Sequence, residues 1–218
     1  MIKILHLADL HLDTPFKGLP ARISRILKQD LLDTFAAAVQ LASNDDVKAV
    51  LLSGDLFDSS SVKQSTIDFM INIMAAASGI EFFIAPGNHD FLQGSKAYFD
   101  SRMPENVHIF KTDKIESFEL PRYNTVVYGI GAVSPHCTHR VLEGFKVSDP
   151  SKINIMVIHG MMSELSGNAI YYPVTNEDIL ESGLDYIALG HVHKFSGVKR
   201  AGDTFYAYPG CPQGRGFD

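Results

Sequence analysis

The chain has 218 residues, of which 45% are hydrophobic and 20% are charged. A chain of this length can bury most of its apolar surface in one core, so we expect a single domain over residues 1–218. The formal net charge of −6 argues against a broadly basic surface for nucleic acid. Acidic residues that hold divalent cations would nevertheless present positive charge to a phosphate.

The cysteine content and the N-terminus both indicate a cytoplasmic protein. Two cysteines, Cys137 and Cys211, are too few for a disulfide framework or a structural zinc site, which favours a reducing compartment. The N-terminal segment is apolar for only a few residues before Asp9, too short for a signal-peptide core or a membrane span. We therefore predict neither export nor contact with a membrane.

Short apolar runs rich in β-branched residues alternate with helix-length segments in the first half of the chain. The clearest predicted strands are 2–8, 47–53 and 80–85. Apolar residues recur at helical spacing over 22–43 and 63–78, which we predict to be crossover helices. This alternation is typical of a largely buried sheet.

After residue 105 the predicted strands become shorter and are separated by turns. They fall at 107–110, 115–120, 124–130, 153–158, 185–189, 195–200 and 203–208. One more helix is predicted over 175–182, where Thr175 can cap the first turn and Asp178 follows three residues later in a capping-box arrangement. Together these elements predict an α/β protein in which two packed sheets are flanked by helices.

Residues of metal-ligand type follow directly on five of the predicted strands. They are Asp9 and His11, Gly54-Asp55, Gly87-Asn88-His89-Asp90, His159-Gly160 and Gly190-His191-Val192-His193. Open α/β sheets bind their ligands beyond the carboxyl ends of the strands, so we expect these residues to meet at one edge. Asp9 and His11 are separated by one residue and would point the same way in an extended strand end, as would His191 and His193.

Carboxylates and imidazoles with one amide oxygen, and no thiolate, suit a catalytic site for manganese, iron, zinc or magnesium. Two cations about 3.5–4 Å apart can hold the attacking and leaving oxygens of an in-line displacement, and one carboxylate must bridge them. Asp55 is the best candidate for that bridge. The glycines beside the ligands, Gly54, Gly87, Gly160 and Gly190, are expected to turn the chain sharply through positive φ. The sequence thus predicts a two-metal phosphoesterase.

In this order, the five motifs resemble those of the calcineurin-like metallophosphoesterase superfamily, over roughly residues 4–193. The resemblance implies a four-layer α/β/β/α sandwich of two mixed sheets flanked by helices. It also implies two divalent metal ions, with manganese as the expected metal. One metal would be held by Asp9, His11, Asp55 and His193, and the other by Asp55, Asn88, His159 and His191. His89 would protonate the leaving oxygen or stabilise its charge, with Asp58 or Asp90 orienting it.

Within that superfamily the chain is most similar to the SbcD-type DNA repair exonucleases. The similarity rests on the Gly54-Asp55-Leu56-Phe57-Asp58 motif and on the ending from Tyr208 to Asp218. It implies exonuclease and endonuclease action on DNA, an SMC-like ATPase subunit as partner, and a homodimer. Relatives of this type continue into a capping domain and an ATPase-binding tail, and we expect this chain to lack both. If those parts supply most of the contacts with DNA, the isolated chain is expected to keep its metals and cleave small esters while binding duplex DNA poorly.

Other interpretations stay open. The same metal site could act on a cyclic nucleotide, a dinucleotide or a phosphoprotein, which the negative net charge allows. A non-catalytic scaffold is disfavoured because every expected ligand position holds a competent residue. Tyr171 and Tyr172 could stack on bases, but we favour a packing role for both. Arg215 and Lys194 could contact phosphate, but we favour solvated side chains.

Overall fold

A computed structural model describes residues 1–163 and 171–214. The helices and strands in these ranges, in chain order, are β1 (Ile4–Leu7), α1 (Ala21–Asn44), β2 (Ala49–Leu52), α2 (Gln64–Ala76), β3 (Glu81–Ile84), β4 (Val107–Ile109), β5 (Glu116–Leu120), β6 (Thr125–Gly129), β7 (Ile153–His159), β8 (Met161–Met162), β9 (Pro173–Val174), α3 (Asn176–Ser182), β10 (Tyr186–Gly190), β11 (Lys199–Ala201) and β12 (Thr204–Ala207). Short 3₁₀ helices lie at Ala97–Phe99 and Pro121–Tyr123.

The strands form two main sheets. The first is entirely parallel, in the order β1-β2-β3-β4, and α1 and α2 are the crossover connections between its first three strands. The second is mixed, in the order β11-β12-β10-β7-β6-β5, with β5 and β11 antiparallel to their neighbours. Strands β8 and β9 make a separate parallel pair.

Three apolar layers separate four layers of secondary structure. Leu52 and Ile84 of the first sheet pack with the helices α1 and α2 in one buried cluster. The alternate residues Leu51 and Phe83 belong to a second cluster, between the two sheets, as expected for strands whose side chains point to opposite faces. A third cluster joins the far face of the second sheet to Ile179 of α3. The predicted four-layer α/β/β/α sandwich is confirmed.

The local predictions agree with the structure at most elements. Helix α3 begins with the predicted capping box, in which Thr175 Oγ1 accepts the Asp178 N–H at 3.1 Å and Asp178 accepts the Thr175 N–H at 2.9 Å. The strand predicted over 195–200 is wrong in its position, because Gly197 takes a φ of 69° and pairing begins only at Lys199. Among the described residues, no helix combines the length and the apolar character that crossing a membrane would require.

Candidate metal centre

The carboxyl ends of five strands meet at one edge of the two sheets. Strands β1, β2 and β3 come from the first sheet, and β7 and β10 come from the second. The structure brings together there the seven side chains predicted as metal ligands, which are Asp9, His11, Asp55, Asn88, His159, His191 and His193. We call these seven residues the ligand cluster.

Asp9, His11 and His193 form one group of donor atoms within the ligand cluster. Nε2 of His11 lies 3.2 Å from Nε2 of His193, and the latter lies 3.8 Å from Oδ1 of Asp9. Two imidazole nitrogens and a carboxylate oxygen within 4.8 Å of one another can bind a single cation. The Asp58 carboxylate lies 3.3 Å from Nδ1 of His11, on the other side of that ring.

Asn88, His159 and His191 form the other group. Oδ1 of Asn88 lies 3.0 Å from Nε2 of His159 and 3.1 Å from Nδ1 of His191, and these two nitrogens lie 3.3 Å apart. Nδ1 of His159 donates to the Ser53 carbonyl at 2.9 Å. This hydrogen bond directs Nε2 of His159 at the amide oxygen and fixes which nitrogen can bind a cation.

The Asp55 carboxylate lies between the two groups. Its Oδ2 is 3.9 Å from Nε2 of His11 and 3.4 Å from Nε2 of His159. Its Oδ1 accepts the backbone N–H of His89 at 2.9 Å, which holds the carboxylate in place. A single oxygen that faces both nitrogen groups has the position that a bridging ligand requires.

Four residues of the ligand cluster have left-handed backbone conformations. The φ angles are 54° at Asp9, 46° at His11, 48° at Asp55 and 97° at His191. Such conformations cost roughly 1–3 kcal/mol each in residues with a Cβ atom, and they concentrate at functional sites. The prediction that Asp9 and His11 share an extended strand end is therefore wrong. Backbone hydrogen bonds from Asp9 to Gly54 at 3.0 Å and from His11 to Asp55 at 2.9 Å hold this strained loop against the next one.

The glycines beside the ligands serve two different needs. Gly54 has a φ of 84°, as predicted. Gly87, Gly160 and Gly190 do not have positive φ, so the predicted reason is wrong for them. A Cβ at Gly87 would overlap the Asp55 carboxylate, and one at Gly190 would overlap the Ser53 carbonyl. These positions need glycine because neighbouring backbone and ligand atoms approach too closely for any side chain.

His89 lies at the open side of the ligand cluster. Its side chain is 43% exposed, and Nε2 is 4.0 Å from Oδ2 of Asp55. Its Nδ1 donates to the backbone carbonyl of Asp58 at 3.1 Å. Because a carbonyl only accepts, this bond keeps the hydrogen on Nδ1 and turns Nε2 towards the cluster and solvent.

Only one of the two aspartates predicted to orient His89 contacts it. Asp58 does so through its main chain, while its carboxylate faces His11. The Asp90 carboxylate is buried and accepts the N–H groups of Gly87 at 2.7 Å and Phe57 at 3.0 Å, and also the Tyr98 hydroxyl. Those contacts tie the turn after β3 to the loop after β2, so Asp90 holds the turn that carries His89 rather than its imidazole.

A model described as calcineurin-like phosphoesterase matches residues 2–195 of the chain. The protein belongs to this family. It is 32% identical to the uncharacterized metallophosphoesterase YhaO of Bacillus subtilis, over 98% of this chain and 54% of that protein. It is 29% identical to the DNA double-strand break repair protein Mre11 of Aeropyrum pernix, over 96% of this chain and 53% of that protein. The chain thus spans about half the length of these relatives.

Solved structures of low sequence identity share the fold. The protein TT1561 of Thermus thermophilus has a TM-score of 0.60 at 13% identity, with 97% of this chain and 91% of that one covered. A dimetal phosphatase from Danio rerio has a TM-score of 0.59 at 12% identity, with 97% and 88% covered. The resemblance to this superfamily and to its DNA repair members, drawn from the motifs, is confirmed.

The residues that support the ligands in this calcineurin-like phosphoesterase were harder to predict. Ser53 holds His159 through its carbonyl, and Tyr98 holds Asp90, although nothing in the sequence pattern links either pair. Tyr171 and Tyr172 are 2% and 0% exposed, which agrees with packing and leaves neither ring accessible to a base. Lys194 is exposed, and Arg215 lies outside the described residues.

Proposed function

We propose that the protein is a dinuclear-metal-dependent phosphodiesterase that hydrolyses DNA. The observation that carries the proposal is the position of Oδ2 of Asp55 between the two donor groups. Family membership supports phosphoester hydrolysis in general. Similarity to DNA repair proteins, among them Mre11 of Aeropyrum pernix, supports DNA as the substrate, with exonuclease action and a secondary endonuclease action in repair.

The chain's own donor atoms fit two cations. In our proposal one cation would be held by Asp9, His11, Asp55 and His193, and the other by Asp55, Asn88, His159 and His191. Nitrogen and oxygen donors without thiolate suit manganese, our first choice, and also iron, zinc or magnesium. When bound, two such cations neutralise charge on the phosphate and lower the pKa of the attacking water.

His89 is the proposed proton donor. Its Nδ1 is held by the Asp58 carbonyl, so the ring presents Nε2 to the cluster, and its 43% exposure lets a substrate reach it. A proton on Nε2 can pass to the leaving oxygen as the bond to phosphorus breaks. General acid catalysis of this kind contributes about 10²–10⁴-fold to a rate.

Two alternatives keep the same fold. A small nucleotide or a phosphoprotein could occupy the same open cluster, and the net charge of −6 is compatible with either. If the protein were a non-catalytic scaffold, it would keep all seven residues of the ligand cluster without using them for catalysis. An SMC-like ATPase partner, a homodimer and a cytoplasmic location are proposals that rest on the resemblance and the composition.

The deciding experiment measures manganese-dependent hydrolysis of bis(p-nitrophenyl) phosphate and of labelled single- and double-stranded DNA. Wild type is compared with Asp55→Asn and His89→Gln, and His108→Gln serves as the matched control because His108 pairs with Glu81 in the first sheet. DNA cleavage that only the first two substitutions abolish supports the nuclease. Ester cleavage with DNA untouched favours a small substrate, and the absence of metal-dependent hydrolysis favours the scaffold.

A further inference from the structure

The ring of Tyr171 packs against two of the proposed ligands of the second metal. It stacks on the His191 ring, with centroids 5.5 Å apart and planes 14° apart. It meets the His159 ring edge-on, at 5.4 Å and 79°. The two imidazoles also meet edge-on, at 5.2 Å and 89°. The three rings therefore form one aromatic group in which each ring contacts the other two.

The fold fixes Tyr171 in this place. Its backbone pairs with Cys137, and its carbonyl accepts the N–H of Met161 at 3.1 Å, two residues after His159. Its side chain belongs to the buried cluster under the second sheet. The ring is thus part of the protein interior, where it contacts the rings of both His159 and His191.

The hydroxyl of Tyr171 is buried, and the described residues offer it no hydrogen-bond partner. A buried hydroxyl without a partner is destabilising, since it loses its hydrogen bonds to water. The contacts of this side chain with the described residues therefore do not depend on the hydroxyl. The contact with His191 is made by the face of the Tyr171 ring.

The histidines of the ligand cluster differ in what orients their rings. His159 is held by a hydrogen bond to the Ser53 carbonyl, and the Asp58 carboxylate lies 3.3 Å from Nδ1 of His11. His191 uses Nδ1 towards Asn88, and the described residues give its Nε2 no hydrogen bond. The torsion that turns a histidine ring is broad, so a ring without a second hydrogen bond needs another contact to fix it. The stacked face of Tyr171 supplies that contact.

We propose that Tyr171 is a positioning residue for the second metal, whose ring holds His191 so that Nδ1 faces Oδ1 of Asn88. This inference rests on the proposed two-metal function. It assigns the effect to one of the two metals only, because the ligand rings that Tyr171 contacts among the described residues are those of His191 and His159, both proposed for the second metal.

The test is titration of the metal-free full chain with Mn²⁺ by calorimetry. Wild type should bind two ions, and Tyr171→Phe should match it within about twofold because the ring is kept. Tyr171→Met fills the space without a ring, and its binding of one ion should weaken by about tenfold, the lower end for loss of an outer contact at a metal site. The ion that Tyr171→Met still binds with wild-type affinity should be the ion that His191→Gln also retains, with a similar dissociation constant.

The matched control is Tyr128→Met, which removes a buried ring from the same cluster where it packs on Phe145. It should lower the unfolding temperature and leave both binding steps unchanged. Circular dichroism checks each fold, and Tyr171→Leu replaces the Met variant if the latter is unfolded. Tyr171→Phe should unfold at a temperature no lower than wild type.

Normal binding of both ions by the ring-free variant would overturn the proposal, as would equal loss in the Phe and Met variants. In either case wild type still binds two ions, so the proposed function stands. A wild type that binds fewer than two ions defeats the two-metal function and this inference with it.

Discussion

Oδ2 of Asp55 lies 3.4 Å from Nε2 of His159, with both side chains buried. Burial by itself lowers the pKa of His159, but the charge of Asp55 and the hydrogen bond to it outweigh burial and raise that pKa to about 9. Burial likewise opposes ionisation of Asp55, yet the charge on His159 holds the pKa of Asp55 well below its usual range. Without metal, His159 is therefore protonated on both ring nitrogens at neutral pH.

This proton predicts that the apparent affinity for Mn²⁺ increases with pH. A cation can bind Nε2 of His159 only after the proton leaves, so each pH unit below the pKa of about 9 should weaken binding by about tenfold. Above that pKa the dependence should flatten. Calorimetric titration of the metal-free protein with Mn²⁺, at pH values one unit apart from about pH 7 upward, measures how the affinity changes with pH. Repeating the titration in buffers of different ionisation enthalpy gives the number of protons released on binding.

The control for the pH dependence is His159→Gln, which has no imidazole to protonate. Its remaining Mn²⁺ binding should be weaker and should change less with pH. A wild-type affinity that stays constant across the range would contradict the assignment of His159 as a ligand that must lose a proton.

Substitution of His89 should separate catalysis from metal binding. His89→Gln removes the proposed proton donor, and the cluster retains its seven ligands, so rates should fall by about 10²–10⁴-fold while two ions still bind. Hydrolysis of esters with a good leaving group should fall much less, because such a leaving oxygen needs little protonation. Parallel measurement of rates and of Mn²⁺ stoichiometry checks both parts, and loss of a bound ion would show that His89 acts as a ligand instead.

That the seven proposed ligands meet at one edge could be predicted from the sequence, because each of them follows a strand that a run of apolar residues indicates. Strand β1 leads to Asp9 and strand β2 to Asp55, and parallel strands bring their carboxyl ends to one edge. The conformation of these residues could not be predicted in the same way. Asp9 has a left-handed φ, and its N–H is bonded to the carbonyl of Gly54, a residue far along the chain.

Two short strands and the role of Asp90 could not be predicted, because they depend on tertiary contacts that the local sequence pattern does not indicate. Strands β8 and β9 are two residues long each, too short for any periodicity to reveal. The two aspartates near His89 look equivalent in the sequence, but the buried partner Tyr98 lies eight residues beyond Asp90 and occupies that carboxylate. Such roles follow from tertiary packing, which the spacing of residues alone does not determine.

Replacement of Gly190 by alanine should destabilise the fold strongly. A Cβ at this position would overlap the Ser53 carbonyl, and backbone cannot move aside as a flexible side chain can. We expect Gly190→Ala to lower the free energy of unfolding by about 3 kcal/mol, the upper end for overpacking. Gly79→Ala is the matched control, because a Cβ there meets no atom within 4 Å. Urea denaturation of both variants measures the difference, and similar values for the two would contradict the close approach.

Mn²⁺ should stabilise the wild-type protein against unfolding, and Asp55→Asn should lose at least half of that gain. An ion that binds only the folded state adds about 2.7 kcal/mol at a hundredfold excess over its dissociation constant. Burial raises the pKa of Asp9 to about 6, so its ionisation destabilises the metal-free fold as pH rises through that value, and a bound cation offsets this. Thermal unfolding with EDTA or Mn²⁺ above pH 6 measures the gain. An equal gain in Asp55→Asn would place the ions elsewhere on the protein, because that substitution removes the charge that both donor groups face.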